Sequence, residues 1–290
     1  MDLSKNEVQA LISLLDDSDS GVVMHVEQRI LTLGRDVIPT LEDAWSGAFD
    51  PIKQQRIESL IHKINHDSLL VELKNWSQNN SSDIIAGAIL IARFQYPDLD
   101  EARVYDQLNQ LKRSIWLEIN YNLTALEKVN VMNRVLFDTY LFKGNTANFH
   151  SPANSYLNIV LDTKKANPLL LSIIYMHLAQ QLDMPIVGVN LPEHFVLAYL
   201  DDQDILTEAF NDNKNAILFY INAFSRGTVF HRNEIDSFLK KLDLQQDEMY
   251  YQPCSNIEIM KRMLRNLIFA YQKLGEIEKV EELEEMINVF

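Results

Sequence analysis

Three short runs rich in β-branched and aromatic residues interrupt a chain whose other apolar residues follow helical spacing. They are IVGV at residues 186–189, FVLAYL at residues 195–200 and AILFYI at residues 216–221, and polar segments separate them. Short runs of this composition between polar turns are typical of neighbouring antiparallel strands. Because the remainder of the chain favours helices, the sequence predicts a mostly helical α+β protein with one small antiparallel sheet.

The first part of the chain is predicted to consist of paired helices. Apolar residues recur at helical spacing between residues 22 and 33, after which Gly34 ends the helix and Pro39 begins the next one. A second pair is predicted at residues 51–64 and 69–77. The pattern LLDDSDSGVV, ILTLG and IPTL resembles a HEAT repeat, in which an acidic turn joins two antiparallel helices. We therefore expect a HEAT-like helical N-terminal region.

Local capping signals organise the rest of the chain. Thr124 with Glu127, and Ser255 with Glu258, form capping boxes at two predicted helix starts. The last helices form an amphipathic pair broken at Gly275, and this pair resembles a single tetratricopeptide unit. Helical periodicity also covers residues 83–94, 100–120 and 125–141. The predicted regions are a HEAT-like part, a central α+β domain and a helical hairpin, at residues 1–122, 123–248 and 249–290.

Charge and composition exclude several classes of function. The 26 Lys and Arg residues against 41 Asp and Glu give a net charge of −15, so the chain offers no cationic surface for nucleic acid or for an anionic membrane. The N-terminus lacks the pattern of a signal peptide, and a single cysteine, Cys254, rules out an intrachain disulfide. We expect a cytoplasmic protein without a membrane segment.

The most specific pattern is NSYLNIVLDTKKANPLLLSIIYMHLAQQLDMPIVGVNLPEHFVLAYL together with FYINAFSRG. A helix that starts at Asn-Pro leads here into a strand, a second strand headed by a histidine, and a third strand. This order resembles the transglutaminase-like superfamily with its papain-like core, and more closely its bacterial SirB family, which carries a tetratricopeptide-like tail. The resemblance implies a cysteine nucleophile at the helix start, a histidine base and an Asp or Asn that orients the histidine.

Three residues of the chain correspond to that site. His194 matches the histidine, Asn222 matches the orienting residue, and Pro168 stands where active members carry the cysteine. Proline has no nucleophilic atom, so the resemblance implies a degenerate cleft at Asn167, Pro168, His194 and Asn222. The function we predict is non-catalytic binding of a peptide or protein partner through this cleft and the helical repeats.

Two alternatives remain open. Ser172 lies one helical turn beyond Pro168 on the same face, so it could replace the cysteine in an amidase or acyl transferase. The cleft could instead be vestigial in a scaffold of helical repeats. Labelling by a fluorophosphonate tests the enzyme with Ser172 as nucleophile. Comparing mutations on the N-terminal helices with mutations in the cleft tests the scaffold.

Other candidate sites are weaker. His62 and His66, with Glu58 one turn earlier, have a spacing that can hold zinc, but the chain supplies no further ligand cluster, so we expect a solvated polar face and no metal. Cys254 is predicted to be a buried small residue. No glycine-rich phosphate loop or dinucleotide fingerprint is present, and we expect no cofactor.

Overall fold

The computed structural model describes residues 5–201 and 217–290. Its contacts group the chain into two compact units, residues 1–75 and residues 76–290. Ala216, the first residue of the third predicted strand run, lies outside the described residues. The two units are described separately.

The first unit is built from helices around one apolar core. It contains α1 (Lys5–Ser13), α2 (Ser20–Leu31), α3 (Ile38–Gly47) and residues 51–75 of α4 (Pro51–Asn79). Asp19 caps α2, because its side chain accepts a hydrogen bond from the Gly21 amide. The core is formed by buried side chains from all four helices and the connections between them: Val8, Ile12, Leu15, Val26, Ile30, Val37, Leu41, Ile57, Leu60 and Ile64. Paired helices were predicted here, and the finer HEAT-like assignment stays a prediction.

Helix α4 corrects one sequence prediction. Residues 51–64 and 69–77 were predicted to be separate helices, but they belong to one helix of 29 residues. The intervening residues 65–68 read Asn-His-Asp-Ser, which are weak helix formers but include neither Gly nor Pro. Ile64 and Leu69 are both buried at either end of this stretch, so packing carries the helix through it.

The second unit begins with helices whose starts are capped by side chains. Asp83, Asp100 and Thr124 each accept a hydrogen bond from a backbone amide of the first turn that follows. Thr124 and Glu127 form the predicted capping box. The helices are α5 (Ile84–Arg93), α6 (Glu101–Trp116) and α7 (Ala125–Asn133), and α7 continues into a π-helical turn at Arg134–Thr139.

A small antiparallel sheet follows, as the sequence predicted, and it has a fourth strand in addition to the three predicted runs. Its strands lie in the order β3 (Ile186–Asn190), β4 (Phe195–Leu200), β5 (Ile217–Asn222) and β6 (Thr228–Phe230). Earlier in the chain, β1 (Lys143–Gly144) pairs in parallel with β2 (Lys165–Ala166). The sequence analysis did not predict this pair of two-residue strands. Between these elements lie α8 (Leu157–Thr163) and α9 (Pro168–Gln180).

The sheet is covered on both faces. Helix α9 packs against β3 and β4. On one face Val196, Ala198 and Tyr220 form a cluster with Ile235 and Leu239 of α10 (Arg232–Lys241). Since side chains alternate along a strand, the residues between these point to the other face. The whole of β4 is buried in consequence.

The chain ends in the predicted helical hairpin. Helices α11 (Asn256–Leu274) and α12 (Ile277–Ile287) are separated by Gly275, which adopts the left-handed conformation with φ of 78°. The Tyr271 hydroxyl of α11 lies 2.9 Å from the Tyr156 hydroxyl, so the hairpin is fastened to the segment before α8. Of the helices in the described ranges, none combines the length and the apolarity needed to cross a bilayer.

Candidate functional site

A cavity of about 180 Å³ opens in the second unit where four segments meet. Its walls come from the segment before α8, the start of α9, the turn and first residue of β4, and one side of α11. The lining residues are Phe149, His150, Ser151, Ser155, Asn167, Pro168, Leu169, Glu193, Phe195, Arg262, Asn266, Phe269 and Ala270. Two residues of the predicted site, Asn167 and Pro168, are therefore in one cavity wall.

The start of α9 is held by Asn167. Its Oδ1 accepts a hydrogen bond from the Leu170 amide at 2.8 Å, while its Nδ2 donates to Ser155 Oγ at 2.7 Å. Pro168 occupies the first helical position, where a missing N–H costs no hydrogen bond. Both polar ends of the buried Asn167 side chain are satisfied, so the end of the helix is a rigid part of the cavity wall.

Arg262 supplies the cation of the cavity. One of its terminal nitrogens, Nη1, donates to Asn190 Oδ1 and to the Leu191 carbonyl, the latter at 2.7 Å. Its guanidinium carbon lies 5.7 Å from the centre of the Phe195 ring. Burial lowers the pKa of Arg262 from its ordinary value; Cys254 acts in the opposite direction, and the nearby charge of Arg265 acts in the same direction as burial.

Aromatic rings form another part of the cavity lining. The Phe149 ring lies edge-on to His150 at 5.2 Å and to Phe224 at 6.0 Å, and His150 lies 5.3 Å from Phe269. Lys273 Nζ is 4.5 Å from the centre of the Phe269 ring. The cavity thus combines aromatic surface with a small number of polar groups, which is the usual character of a ligand site.

His194 and Asn222 have other contacts. The exposed His194 ring lies 4.9 Å from the Phe238 ring of α10. Asn222 Oδ1 accepts a hydrogen bond from the Ser225 amide at 3.2 Å and caps a short 3-10 turn. Neither residue is among the described residues that line the cavity, although Glu193 and Phe195, on either side of His194, both line it. Their catalytic and ligand-binding roles stay predictions from the resemblance.

Ser172 and Cys254 are engaged elsewhere. Ser172 is fully buried within α9, and its hydroxyl donates to the Pro168 carbonyl at 2.8 Å, the local bond that serine commonly makes inside a helix. Burial raises the pKa of the partly buried Cys254 thiol to about 12. Its sulfur lies 3.4 Å from the Gly188 carbonyl. A thiol with such a pKa is not ionised at neutral pH and is a poor nucleophile.

The histidines of α4 do not gather further metal ligands. Glu58 accepts a hydrogen bond from the Trp45 indole at 2.8 Å. Over residues 5–201 and 217–290, no group of three or more His, Cys, Asp or Glu side chains is placed to hold a metal ion.

Several lining residues were missed by the sequence analysis. His150 and Ser155 belong to the segment FHSPANSYL, which contains no repeat and no motif whose residue spacing indicates a functional site. Arg262, Asn266 and Phe269 recur at helical spacing on one side of α11. That spacing could have indicated a common face. It could not show that the face borders the start of α9.

Comparison with known proteins relates more than half of the chain to a family. Residues 102–265, more than half of the chain, match the model of the transglutaminase-like superfamily. A UPF0162 protein of Xylella fastidiosa strain Temecula1 is 29% identical over 196 residues, which is 65% of this chain and 64% of that protein. One from strain 9a5c is 33% identical over 139 residues, 45% of this chain and 47% of that protein.

The similarity extends beyond bacteria. Human F-box only protein 21 is 25% identical over 177 residues, 61% of this chain and 26% of that protein. The chain spans less than two thirds of the length of each of these three relatives. No solved structure matches the chain.

Proposed function

The chain belongs to the transglutaminase-like superfamily, and from this premise we propose that it binds a peptide segment in the cavity beside Pro168 without transferring or hydrolysing an acyl group. The proposal joins the degenerate nucleophile position, implied by the resemblance, to a cavity at the same place. Asn167 and Pro168 form part of its wall.

The bonding of the nearby nucleophilic groups carries the proposal. Ser155 Oγ receives a hydrogen bond from Asn167, and within the described ranges no histidine or carboxylate hydrogen-bonds to it. Ser172 is buried and donates to Pro168, and the Cys254 thiol is protonated at neutral pH. Nucleophilic catalysis needs a hydroxyl or thiol that is activated by a base or by a lowered pKa. The cavity offers shape and polarity without that activation.

The size of the cavity suits one side chain of a peptide. A volume of about 180 Å³ is below the usual range of sites for drug-sized ligands, roughly 300–1,000 Å³. The aromatic rings of Phe149, Phe195 and Phe269 offer apolar contact, and Asn266 offers an amide group. A single anchoring residue, with flanking residues on the rim, fits these dimensions.

A cavity-filling variant tests the proposal. Peptides selected from a displayed random library by the wild-type protein would be measured by calorimetry against Asn266→Leu. Asn266 lines the cavity, so leucine there should weaken binding at least about tenfold by occupying the anchor position. Gln272→Leu is the matched control, because Gln272 is exposed on the same helix and does not line the cavity.

Two results would contradict the proposal. The first is failure of the library to yield any peptide that binds above background, which would favour the vestigial cleft of a helical scaffold. The second is covalent labelling of the wild-type protein by a fluorophosphonate, lost in Ser172→Ala or in Ser155→Ala, which would show an activated serine. We expect peptide binding and no labelling.

A further inference from the structure

Arg262 lies in the cavity wall with part of its hydrogen-bonding capacity unused. A guanidinium group has five N–H donors. The two on Nη1 are accounted for by Asn190 and Leu191. For the three on Nε and Nη2, no residue in the described part of the chain provides an acceptor. Two of them, Nε–H and one N–H of Nη2, form one edge of the planar group.

The charge of Arg262 also has no counter-ion among the described residues. None of the ion pairs found in residues 5–201 and 217–290 includes Arg262. Burial, the largest influence, and the neighbouring Arg265 disfavour its charged form, and Cys254 acts in the opposite direction. A partly buried cation is costly unless it is paired, so an unpaired one beside a cavity suggests that the partner arrives with the ligand.

We infer that the cavity recognises a carboxylate group carried next to an apolar group of the ligand, with the carboxylate on the free edge of Arg262. This inference rests on the proposed function and names the chemistry of its anchor. Arginine and carboxylate groups match in a bidentate geometry, and such pairs give shorter and stronger hydrogen bonds than neutral ones. The aromatic walls at Phe149, Phe195 and Phe269 accommodate the apolar group.

Negative charge near the cavity and on the whole chain opposes the binding of a carboxylate. Glu193 lines the cavity, but it is exposed, so its carboxylate is hydrated and screened. The net charge of −15 repels anions at long range, yet such repulsion is screened beyond about 8 Å at physiological salt. Neither removes the short-range match between a carboxylate and the free edge of Arg262. Both predict that added salt speeds the association of an acidic ligand.

The carboxylate could come from a peptide C-terminus or from an acidic side chain. Three probes separate these sources: acetyl-Ala-Ala-Phe with a free carboxylate, the same peptide as its amide, and acetyl-Ala-Glu-Ala-amide. Titration into the full-length protein, followed by NMR, would give a dissociation constant for each. We expect at least one acidic probe to bind at least about tenfold more tightly than the neutral amide.

Arginine variants assign the effect. Arg262→Gln should reduce the affinity for the acidic probe to that for the amide, whereas Arg265→Lys, which keeps the charge at an exposed position on the same helix, should leave it unchanged. Arg262→Lys keeps the charge without the planar edge, so an intermediate affinity is expected. If Arg262→Gln does not fold, Arg262→Lys and the comparison of probes on the wild-type protein still decide the question.

The outcomes separate this inference from the proposed function. Equal binding of acid and amide, both lost in Asn266→Leu, would overturn the carboxylate anchor and keep the peptide site. An acidic probe that binds equally to Arg262→Gln would also overturn it. Failure of all three probes and of the selected peptides to bind would overturn both proposals.

Discussion

Single residues in the turn after β5 show how the second unit closes around α9. Asn133 Nδ2 donates to the Gly227 carbonyl at 2.9 Å, and the buried Tyr175 hydroxyl donates to Asn133 Oδ1 at 3.0 Å. Gly227 has φ of 73°, and a Cβ built on it would overlap the Asn133 side chain. The segment INAFSRG therefore ends in glycine for two reasons, the backbone conformation and the close approach of Asn133.

Substitution of two glycines separates these reasons. Gly275 has a similar φ of 78°, but an added Cβ meets nothing within 4 Å. Gly275→Ala should lower the free energy of unfolding by about 1–2 kcal/mol, the cost of a left-handed residue with a Cβ. Gly227→Ala should cost more, about 3 kcal/mol in all, because Asn133 must also move and a buried network is disturbed.

Denaturant unfolding of both variants would measure this difference. Circular dichroism of each variant at low denaturant serves as a control for folding. Equal losses at the two positions would contradict the role assigned to Asn133.

His194 is expected to contribute to stability more than to binding. Its ring contacts Phe238, so His194→Ala should cost about 0.5–1.5 kcal/mol through the lost aromatic contact. The affinity for selected peptides should not change, because His194 is not in the cavity wall. Calorimetric titration and thermal unfolding of the same sample would measure both quantities. Loss of binding at unchanged stability would instead support the site role that the resemblance implies.

The elements of the second unit were the most predictable part of the fold. The three strand runs, the capping boxes at Thr124 and Ser255, and the Asn167-Pro168 helix start are local signals, and each is observed. The π-helical turn after α7 and the β1–β2 pair were not predicted. Both depend on contacts between segments: β2 supplies the partner that makes β1 a strand.

The candidate site was likewise predictable where it depends on local signals and not where it depends on contacts between distant segments. Asn167 and Pro168 were identified because capping is a local property of the chain. Arg262 comes from a helix more than ninety residues later, so its place beside Pro168 depends on how α11 packs. The sequence pattern identified one wall of the cavity, and only the packing of α11 shows the other.

The capping box of α7 makes a prediction about pH. The Thr124 amide and hydroxyl both donate to Glu127, and these hydrogen bonds hold the pKa of the Glu127 carboxyl below its usual value. A pKa that is lower in the folded state means that the carboxylate stabilises the fold above the unfolded-state pKa, about 4.3. This contribution is lost as the pH falls through the folded-state value.

Thermal unfolding of Glu127→Gln measures this contribution. The variant should unfold at a lower temperature than the wild type at about pH 7, and the difference should shrink as the pH falls from the unfolded-state pKa through the lower folded-state pKa, below which the glutamate is protonated. Glu281→Gln, on the exposed surface of α12, is the control and should show a smaller change. A difference between wild type and Glu127→Gln that is independent of pH would contradict the assigned cause.

At the scale of the whole molecule, the family match and the division into units both lead us to expect that the first unit can unfold without the second. Residues 102–265 match the superfamily and lie within the second unit, whereas the first unit has its own apolar core. A region with its own core can unfold on its own. The region boundaries predicted from the sequence, at residues 122 and 248, stay predictions. The division at residue 75, which follows from the contacts, predicts that residues 1–75 can unfold separately from the second unit.

Hydrogen exchange in a core variant of the first unit tests whether the two units unfold separately. Leu41 is fully buried in this core, so Leu41→Ala should remove about 2–5 kcal/mol from its stability. Amide exchange measured by mass spectrometry should then rise in α2 and α3 and stay at the wild-type level in α9, and peptide binding should persist. Leu170→Ala, equally buried in α9, is the matched control and should have the reverse effect. If Leu41→Ala raised exchange equally in α3 and α9, the two units would unfold as one, and the first unit would be required for the integrity of the cavity.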